Sequence, residues 1–248
     1  MDFSFQLYSA RHTPLDESLR IIAEAGYNGV EAVGSNVDDG DAFQSGLLKY
    51  NLNVPSMHIS LEMMRSDMST CLAQAQRYQC QHIVCPYLDD NDRPGSVEQW
   101  QSLAHELAGF QSQWLSAGCT FAWHNHDFEF MTLSDGSLPI QHLLDTATAM
   151  QWEIDVAWVV RAGVDPGIWI AHYLSRISAV HLKDIAPTGE CMDEDGWADL
   201  GEGVVPWKSL MPKLMSANTD LYIVEHDNPS DLQRFATRSI KAARALSA

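Results

Sequence analysis

Four short segments carry side chains of the types that bind metals and move protons. Residues 123–129 read Trp-His-Asn-His-Asp-Phe-Glu, and residues 180–184 read Val-His-Leu-Lys-Asp. Residues 223–227 read Ile-Val-Glu-His-Asp, and Asp155 closes an apolar-aromatic run that holds Trp152 and Ile154. In an extended strand, residues two apart share a side. His124 and His126 therefore share one side, as do His181 and Lys183. Glu31 and His58 lie in two earlier runs of the same kind. Imidazole and carboxylate together suit Mn²⁺, Zn²⁺, Co²⁺ or Fe²⁺. Each residue alone has a plainer explanation: a strand-end histidine packs in many proteins, Asp155 could cap a helix, and Glu225 could pair with Lys183. The case for a site is that four ligand-type residues, His124, Asp155, His181 and Glu225, would have to converge by coincidence otherwise.

Those residues need elements that bring them together. Eight short apolar runs read as strands: 3–9, 28–33, 54–60, 82–87, 120–126, 151–157, 178–185 and 221–226. Most hold β-branched or aromatic residues. Helical patterns alternate with them at 14–25, 40–50, 63–79, 97–117, 138–149, 166–174, 206–216 and 231–246. Thr13 before Pro14 suggests an N-cap, an Asp-Asp-Gly turn precedes residue 40, and Ser96 with Gln99 suggests a capping box. Pro166 and Pro206 sit at helix starts, where a missing N–H costs little. Trp100, Trp114 and Trp169 fall at helix core positions, and His12, His82, His105, His142 and His172 read as structural.

Eight β-then-α units without a Pro/Gly-rich linker predict an α/β protein, a single (β/α)8 TIM barrel spanning residues 1–248. A doubly wound sheet would bring a glycine-rich first turn, and residues 5–12 have none. Catalytic groups in such a barrel come from the C-terminal ends of strands. The long 185–205 connection would follow strand 7 on that face, where it would serve as a lid.

Composition bounds the partners. Lys+Arg is 15 against Asp+Glu 33, a formal charge of −18, which repels nucleic-acid backbones and anionic membranes. Without an apolar run of 18 residues the sequence predicts no membrane span, and its N-terminus shows no signal-peptide pattern. Five cysteines, an odd number without metal-type spacing, read as reduced thiols of a cytoplasmic protein.

At these motifs the chain resembles the sugar isomerase/epimerase-like, or xylose isomerase-like, superfamily of TIM barrels along nearly its whole length. The resemblance rests on Gln6-Leu7-Tyr8-Ser9, Gly29-Val30-Glu31, His124 to Phe130, Asp155 with Trp158, and Gly163 to Pro166. Val180 to Asp184, Leu200-Gly201-Glu202-Gly203 and Val224 to Asp227 complete it. The His-Asn-His-Asp-Phe-Glu-Phe run is similar to a subgroup labelled sugar phosphate isomerase/epimerase, whose members include ketose epimerases, hydroxypyruvate isomerases, inosose dehydratases and enzymes acting on 3-keto-glycosides.

The resemblance implies one divalent ion (Mn, Zn, Co, Fe or Mg) held by His124, Asp155, His181 and Glu225. It implies a carbohydrate or cyclitol substrate, with a possible homo-oligomer and no nucleic-acid or membrane partner. The implied reaction abstracts a proton next to a carbonyl, and a Lewis acid stabilises the enediolate. His126 or Glu129 is then the expected base, with Glu225 also shuttling protons and Lys183 steadying the enolate. Glu31, His58, Trp158 and Glu202 are expected to bind substrate. Two departures matter: His124 stands where ketose epimerases carry a glutamate, and Trp158 where they carry a histidine. Both turn attention to the dehydratase and 3-keto-glycoside branches, and the acidic residues around Gly201 and Gly203 favour an unphosphorylated sugar. Three alternatives remain open: a metal-dependent lyase, a non-catalytic sugar-binding barrel, and a repair nuclease of the same fold, against which the negative charge speaks.

Overall fold

A computed structural model describes residues 1–34, 40–217 and 219–248. Among the described residues, eight parallel strands close into a barrel: β1 (Phe3–Gln6), β2 (Gly29–Ala32), β3 (Asn53–His58), β4 (His82–Cys85), β5 (Thr120–His124), β6 (Gln151–Asp155), β7 (Ile177–Leu182) and β10 (Tyr222–Val224). β1 closes the ring by pairing with both β2 and β10. The architecture is a single (β/α)8 TIM barrel. Strand ends differ from the sequence reading by a residue or a few, because each chain leaves the ladder as soon as its C-terminal residues turn into the loops.

An outer layer surrounds the strands: α1 (Leu15–Ala25), α2 (Gly40–Tyr50), α3 (Leu61–Ser66), α4 (Met68–Arg77), α5 (Val97–Ser116), α6 (Pro139–Thr146), α7 (Val156–Arg161), α8 (Pro166–Tyr173), α9 (Trp207–Leu214) and α10 (Leu232–Leu246). Trp100, Trp114 and Trp169 are buried, as their spacing predicted. Several ends depart from expectation. The 63–79 pattern is two helices, because Asp67 leaves helical geometry and its carboxylate accepts from Thr70 N. Pro14, not Thr13, stands before α1, without a side-chain cap. Ser96 caps α5 by accepting from Gln99 N, but Gln99 Oε1 accepts from Gly95 N, so the reciprocal box does not close. The Asp-Asp-Gly turn ahead of α2 lies partly outside the described residues.

The strands decide what points inward. Phe5 packs on Tyr27 and Phe235, and Trp152 on Tyr173, so these face the helical layer. Their neighbours Gln6 and Glu153 therefore project into the barrel, where Gln6 meets Glu31 and Glu153 meets His58. The upper interior is thus a layer of polar side chains inside an apolar shell.

The 185–205 connection is ordered. β8 (Asp184–Ile185) pairs antiparallel with β9 (Trp197–Ala198). Asp184 organises the rest: its carboxylate accepts backbone N–H groups of Ile185, Gly201 and Val205 at 2.9–3.0 Å. Gly203 fits against this anchor only because it lacks a side chain; a Cβ there would lie 2.2 Å from Asp184 Oδ1 and 2.3 Å from Ile185 O.

Candidate active site

At the C-terminal end of the barrel lies a cavity of about 910 Å³. Its wall includes Tyr8, His58, Tyr87, His124, His126, Phe128, Trp158, Trp197, Glu225 and Asp227, with Arg11, Arg93 and Arg161 also on it. Aromatic surface beside a few polar groups is how proteins build small-molecule sites.

The ends of β5, β6, β7 and β10 bring His124, Asp155, His181 and Glu225 together, with one ligand atom of each within 4.8 Å of the others. The ladder explains the convergence: Asp155 pairs with His181 and Ile223 pairs with His181 in register. Asn125 stiffens the β5–β6 junction, accepting from Trp152 Nε1 and Asp155 N and donating to Asp155 O.

Asp155 does two jobs. Its Oδ1 accepts from Trp158 N at 2.9 Å and caps α7, the structural role open to it in the sequence. Its buried Oδ2 has no hydrogen bond. Burial raises this carboxyl to about 7 despite the Lys183 ammonium 3.8 Å away. Glu225 sits 3.0 Å from His181 Nδ1 and 3.3 Å from Lys183 Nζ. Burial opposes its charge, but Lys183 and His181 hold its carboxyl well below the ordinary range. His124 is lowered to about 4, chiefly by burial and then by His181, which leaves a neutral imidazole. Two carboxylates, neutral imidazole and one unpartnered oxygen form a donor set that fits a first-row divalent cation.

Lys183 lies between the site and the loop. Its Nζ contacts Asp227 at 2.7 Å and stands 4.2 Å from the Trp197 ring centroid and 5.0 Å from that of Trp158. The surrounding carboxylates raise its pKa against the effect of burial. It is a fixed cation.

His126 faces the cavity. Burial, then the neighbouring His124 and Lys183, push its pKa well below 6.5, and its Nδ1 has no hydrogen bond. Trp158 lies beside it at a tilt of 46°, with ring centroids 5.2 Å apart.

Three expected roles need correction. Glu129 does not line the cavity. It is fully buried, with Oε1 accepting from Trp123 Nε1 at 2.9 Å and Oε2 from His126 N at 2.8 Å. With both oxygens engaged it positions His126 and cannot serve as a base on a ligand. Glu31 lies below the cavity wall, fully buried, where it accepts from Gln6 Nε2 and meets His58 and His181 at 3.0 and 2.8 Å. It is not among the residues that line the cavity. Glu202 is exposed and outside the wall; the 185–205 loop instead contributes Asp195 and Trp197.

Glu153 escaped the sequence reading. Its Oε1 lies 2.8 Å from His58, 3.0 Å from His181 and 3.1 Å from His124. The signal was present: it is two residues before Asp155, so period two puts both on one side. Asp227 follows Glu225 by the same spacing.

Four cysteines are buried, Cys191 is exposed, and all five are free. Among the described residues no helix is long and apolar enough to cross a membrane.

Comparison with known proteins agrees with this architecture. The chain is similar to a sugar phosphate isomerase/epimerase from Parabacteroides distasonis, at 19% identity and TM-score 0.78, covering 100% of this chain and 94% of that one. It is similar to the probable 3-DHS dehydratase AsbF from Bacillus anthracis, at 14% identity and TM-score 0.78, covering 98% and 99%. It is also similar to the IolI protein, solved with a bound zinc atom, at 13% identity and TM-score 0.77, covering 100% and 98%. None of the curated protein sequences matches it. At these identities the likeness is one of fold. The family model for the xylose isomerase-like TIM barrel matches residues 19–246. The chain belongs to the xylose isomerase-like TIM barrel family.

Proposed function

We propose that the protein is a divalent-metal-dependent isomerase or epimerase of a ketose or related sugar. The observation that carries this reading is the convergence of His124, Asp155, His181 and Glu225 on the floor of an aromatic-walled cavity, with Asp155 Oδ2 left unpartnered.

These four residues would hold the ion. When bound, it would supply Lewis acidity to a carbonyl and its neighbouring hydroxyl. The rest belongs to the chain. Neutral His126, on the cavity wall, takes the proton from the carbon next to the carbonyl. Glu225 comes from the end of β10, three places from β5 around the eight-membered ring; kept ionised, it takes the substrate hydroxyl proton and passes it to the neighbouring oxygen, and His126 returns its own proton to the adjacent carbon. Lys183, held by Asp227, puts a permanent positive charge near the developing oxyanion. Trp158 and Trp197 offer flat apolar surface to a sugar ring and keep water from the reacting atoms. His58 at the cavity edge can meet a substrate hydroxyl. Glu129 holds His126 in place through its backbone N–H.

Elimination of water, on an inosose or a 3-keto-glycoside, is the second reading. It is favoured by the imidazole of His124 in the place of a second proton-shuttling glutamate, and by the fixed Lys183 ammonium, which can steady a departing hydroxyl. The cavity and its metal-type floor are common to both.

The test is to remove divalent ions with chelator, restore Mn²⁺, Zn²⁺ or Co²⁺ singly, and assay ketoses, inososes and 3-keto-glycosides. Metal-restored isomerisation of a ketose supports the first reading, and metal-restored dehydration the second. A folded chain that binds no divalent ion would overturn both in favour of a sugar-binding barrel.

A further inference from the structure

Beneath the floor of the cavity lies a second convergence of ligand atoms. Glu31 Oε1, His58 Nε2, Glu153 Oε1 and His181 Nε2 form a closed quadrilateral. Its sides are 3.0 Å (Glu31–His58), 2.8 Å (His58–Glu153), 3.0 Å (Glu153–His181) and 2.8 Å (His181–Glu31). All four side chains are at most 8% exposed, and three are fully buried.

Hydrogen bonds do not satisfy every oxygen of this arrangement. Each Nε2 carries at most one hydrogen. Two hydrogens serve four short sides only if each is shared between two carboxylate oxygens. In addition, Glu31 Oε2 and Glu153 Oε2 are buried without a hydrogen bond. A buried carboxylate oxygen left without a partner is expensive. The dimensions suit a cation instead. His58, Glu153 and His181, with His124 beside them, each offer a ligand atom within 4.8 Å of the others.

Charge supports the same conclusion. Glu31, Glu153, Asp155, Glu225 and Asp227 bring five carboxylates to the polar layer, and the Lys183 ammonium meets Asp155, Glu225 and Asp227 but neither Glu31 nor Glu153.

We propose that the chain holds a second divalent-cation seat, one layer down the barrel from the cavity floor, made by Glu31, His58, Glu153 and His181. The seat is separate from the one on which the proposed function rests, since it uses His181 Nε2 and leaves His181 Nδ1 beside Glu225. Gln6, donating to Glu31 at 2.7 Å, and His124, 3.1 Å from Glu153, fix its walls. With both seats filled, the His181 ring bridges them after losing its remaining ring proton.

The test is anomalous diffraction from crystals of the whole chain soaked in Co²⁺ and, separately, Zn²⁺, together with metal content after equilibrium dialysis. The expected result is two peaks and two ions per chain, the lower peak amid Glu31, His58, Glu153 and His181. Glu153→Gln should then lose the lower ion and Asp155→Asn the upper one. The diffraction result stands even if a variant fails to fold. A single upper peak, with one ion per chain unaffected by Glu153→Gln, overturns the deep seat and leaves the proposed function intact. A single lower peak supports the deep seat and removes the ligand set of the proposed function. No ordered ion at saturating metal overturns both and makes the quadrilateral a buried ion-pair cluster.

Discussion

Replacing Lys183 with methionine tests the electrostatics of the cavity floor. The side chain is fully buried, and its Nζ is 2.7 Å from Asp227, 3.3 Å from Glu225 and 3.8 Å from Asp155. Methionine keeps most of the volume and removes the charge. Leaving buried carboxylates without their cation costs about 3–5 kcal/mol. In a chain of this size each kcal/mol moves Tm by about 2–4 °C, so metal-free Lys183→Met should melt roughly 6–20 °C lower. The same substitution removes a positive charge from beside the proposed metal ligands and should strengthen divalent binding. An ion at a thousandfold its Kd stabilises by about 4 kcal/mol. Saturating Zn²⁺ should therefore raise Tm more in Lys183→Met than in the natural protein. Differential scanning calorimetry with and without metal reads both effects. Lys49→Met is the control: its pair with Asp16 is more than half exposed, and an exposed pair contributes about 0–1 kcal/mol. A metal-free fall no larger than that of the control would refute the reasoning, as would equal zinc responses in Lys183→Met and the natural protein.

Four further outcomes follow from particular contacts. Asp155→Ala should lose both the upper divalent ion and turnover; retained metal by elemental analysis would remove Asp155 from the ligand set. His126→Ala should lower kcat by about 10²–10⁴, the usual worth of a general base, while metal content stays unchanged. Burial raises the Glu129 carboxyl to about 8 from 4.5, so the fold favours its protonated form. That contribution is full below about pH 4.5 and is lost as pH rises through about 8. The Tm of the natural protein relative to Glu129→Gln should fall across this window, and a constant difference would exclude the effect. Gly203→Ala drives a Cβ into Asp184 and the Ile185 carbonyl, so limited proteolysis should cut within 186–200 while the circular dichroism of the barrel is kept.

The barrel was legible because every strand is a short apolar run and each is followed by a helix pattern, several of them with a start signal such as Ser96, Pro166 or Pro206. Strand ends were less so, since leaving a ladder depends on the neighbouring strand and not on local composition. The 185–205 segment looked structureless because its order comes from one carboxylate, Asp184, gathering the N–H of its neighbour Ile185 and the distant N–H groups of Gly201 and Val205. Within the site, His124, Asp155, His181 and Glu225 could be grouped by position along their strands. Depth was the obstacle for the rest. Glu31 and Glu129 read as polar residues near a strand end, and Glu202 as part of the long loop after strand 7. Yet Glu31 points to the layer below, Glu129 turns back onto Trp123 and His126, and Glu202 points to solvent. Direction beyond a strand end is set by the loop, which has no period. Glu153 was hidden for a different reason: its flanking Trp152 and Ile154 make the segment read as apolar.

The polar layer also bears on how this fold divides its work. A buried ionic cluster is on balance a cost, and apolar residues of the same volume would often be as stable or more so. Here the cost is confined to one level of the barrel. Outward-facing Phe5, Trp152 and Tyr222 keep the shell around it apolar, and Trp158 and Trp197 close over Lys183 from the loop side. Low dielectric follows from that shell, and it makes each charge act strongly on its neighbours. The same arrangement that holds Asp155 near neutrality at about 7 keeps Glu225 ionised one strand beyond its partner His181. Two carboxyls at one level thus differ in proton affinity because one meets mainly burial and the other meets cations. A barrel that must take up a divalent ion and move a proton benefits from that difference, whereas a purely structural core would have no use for it.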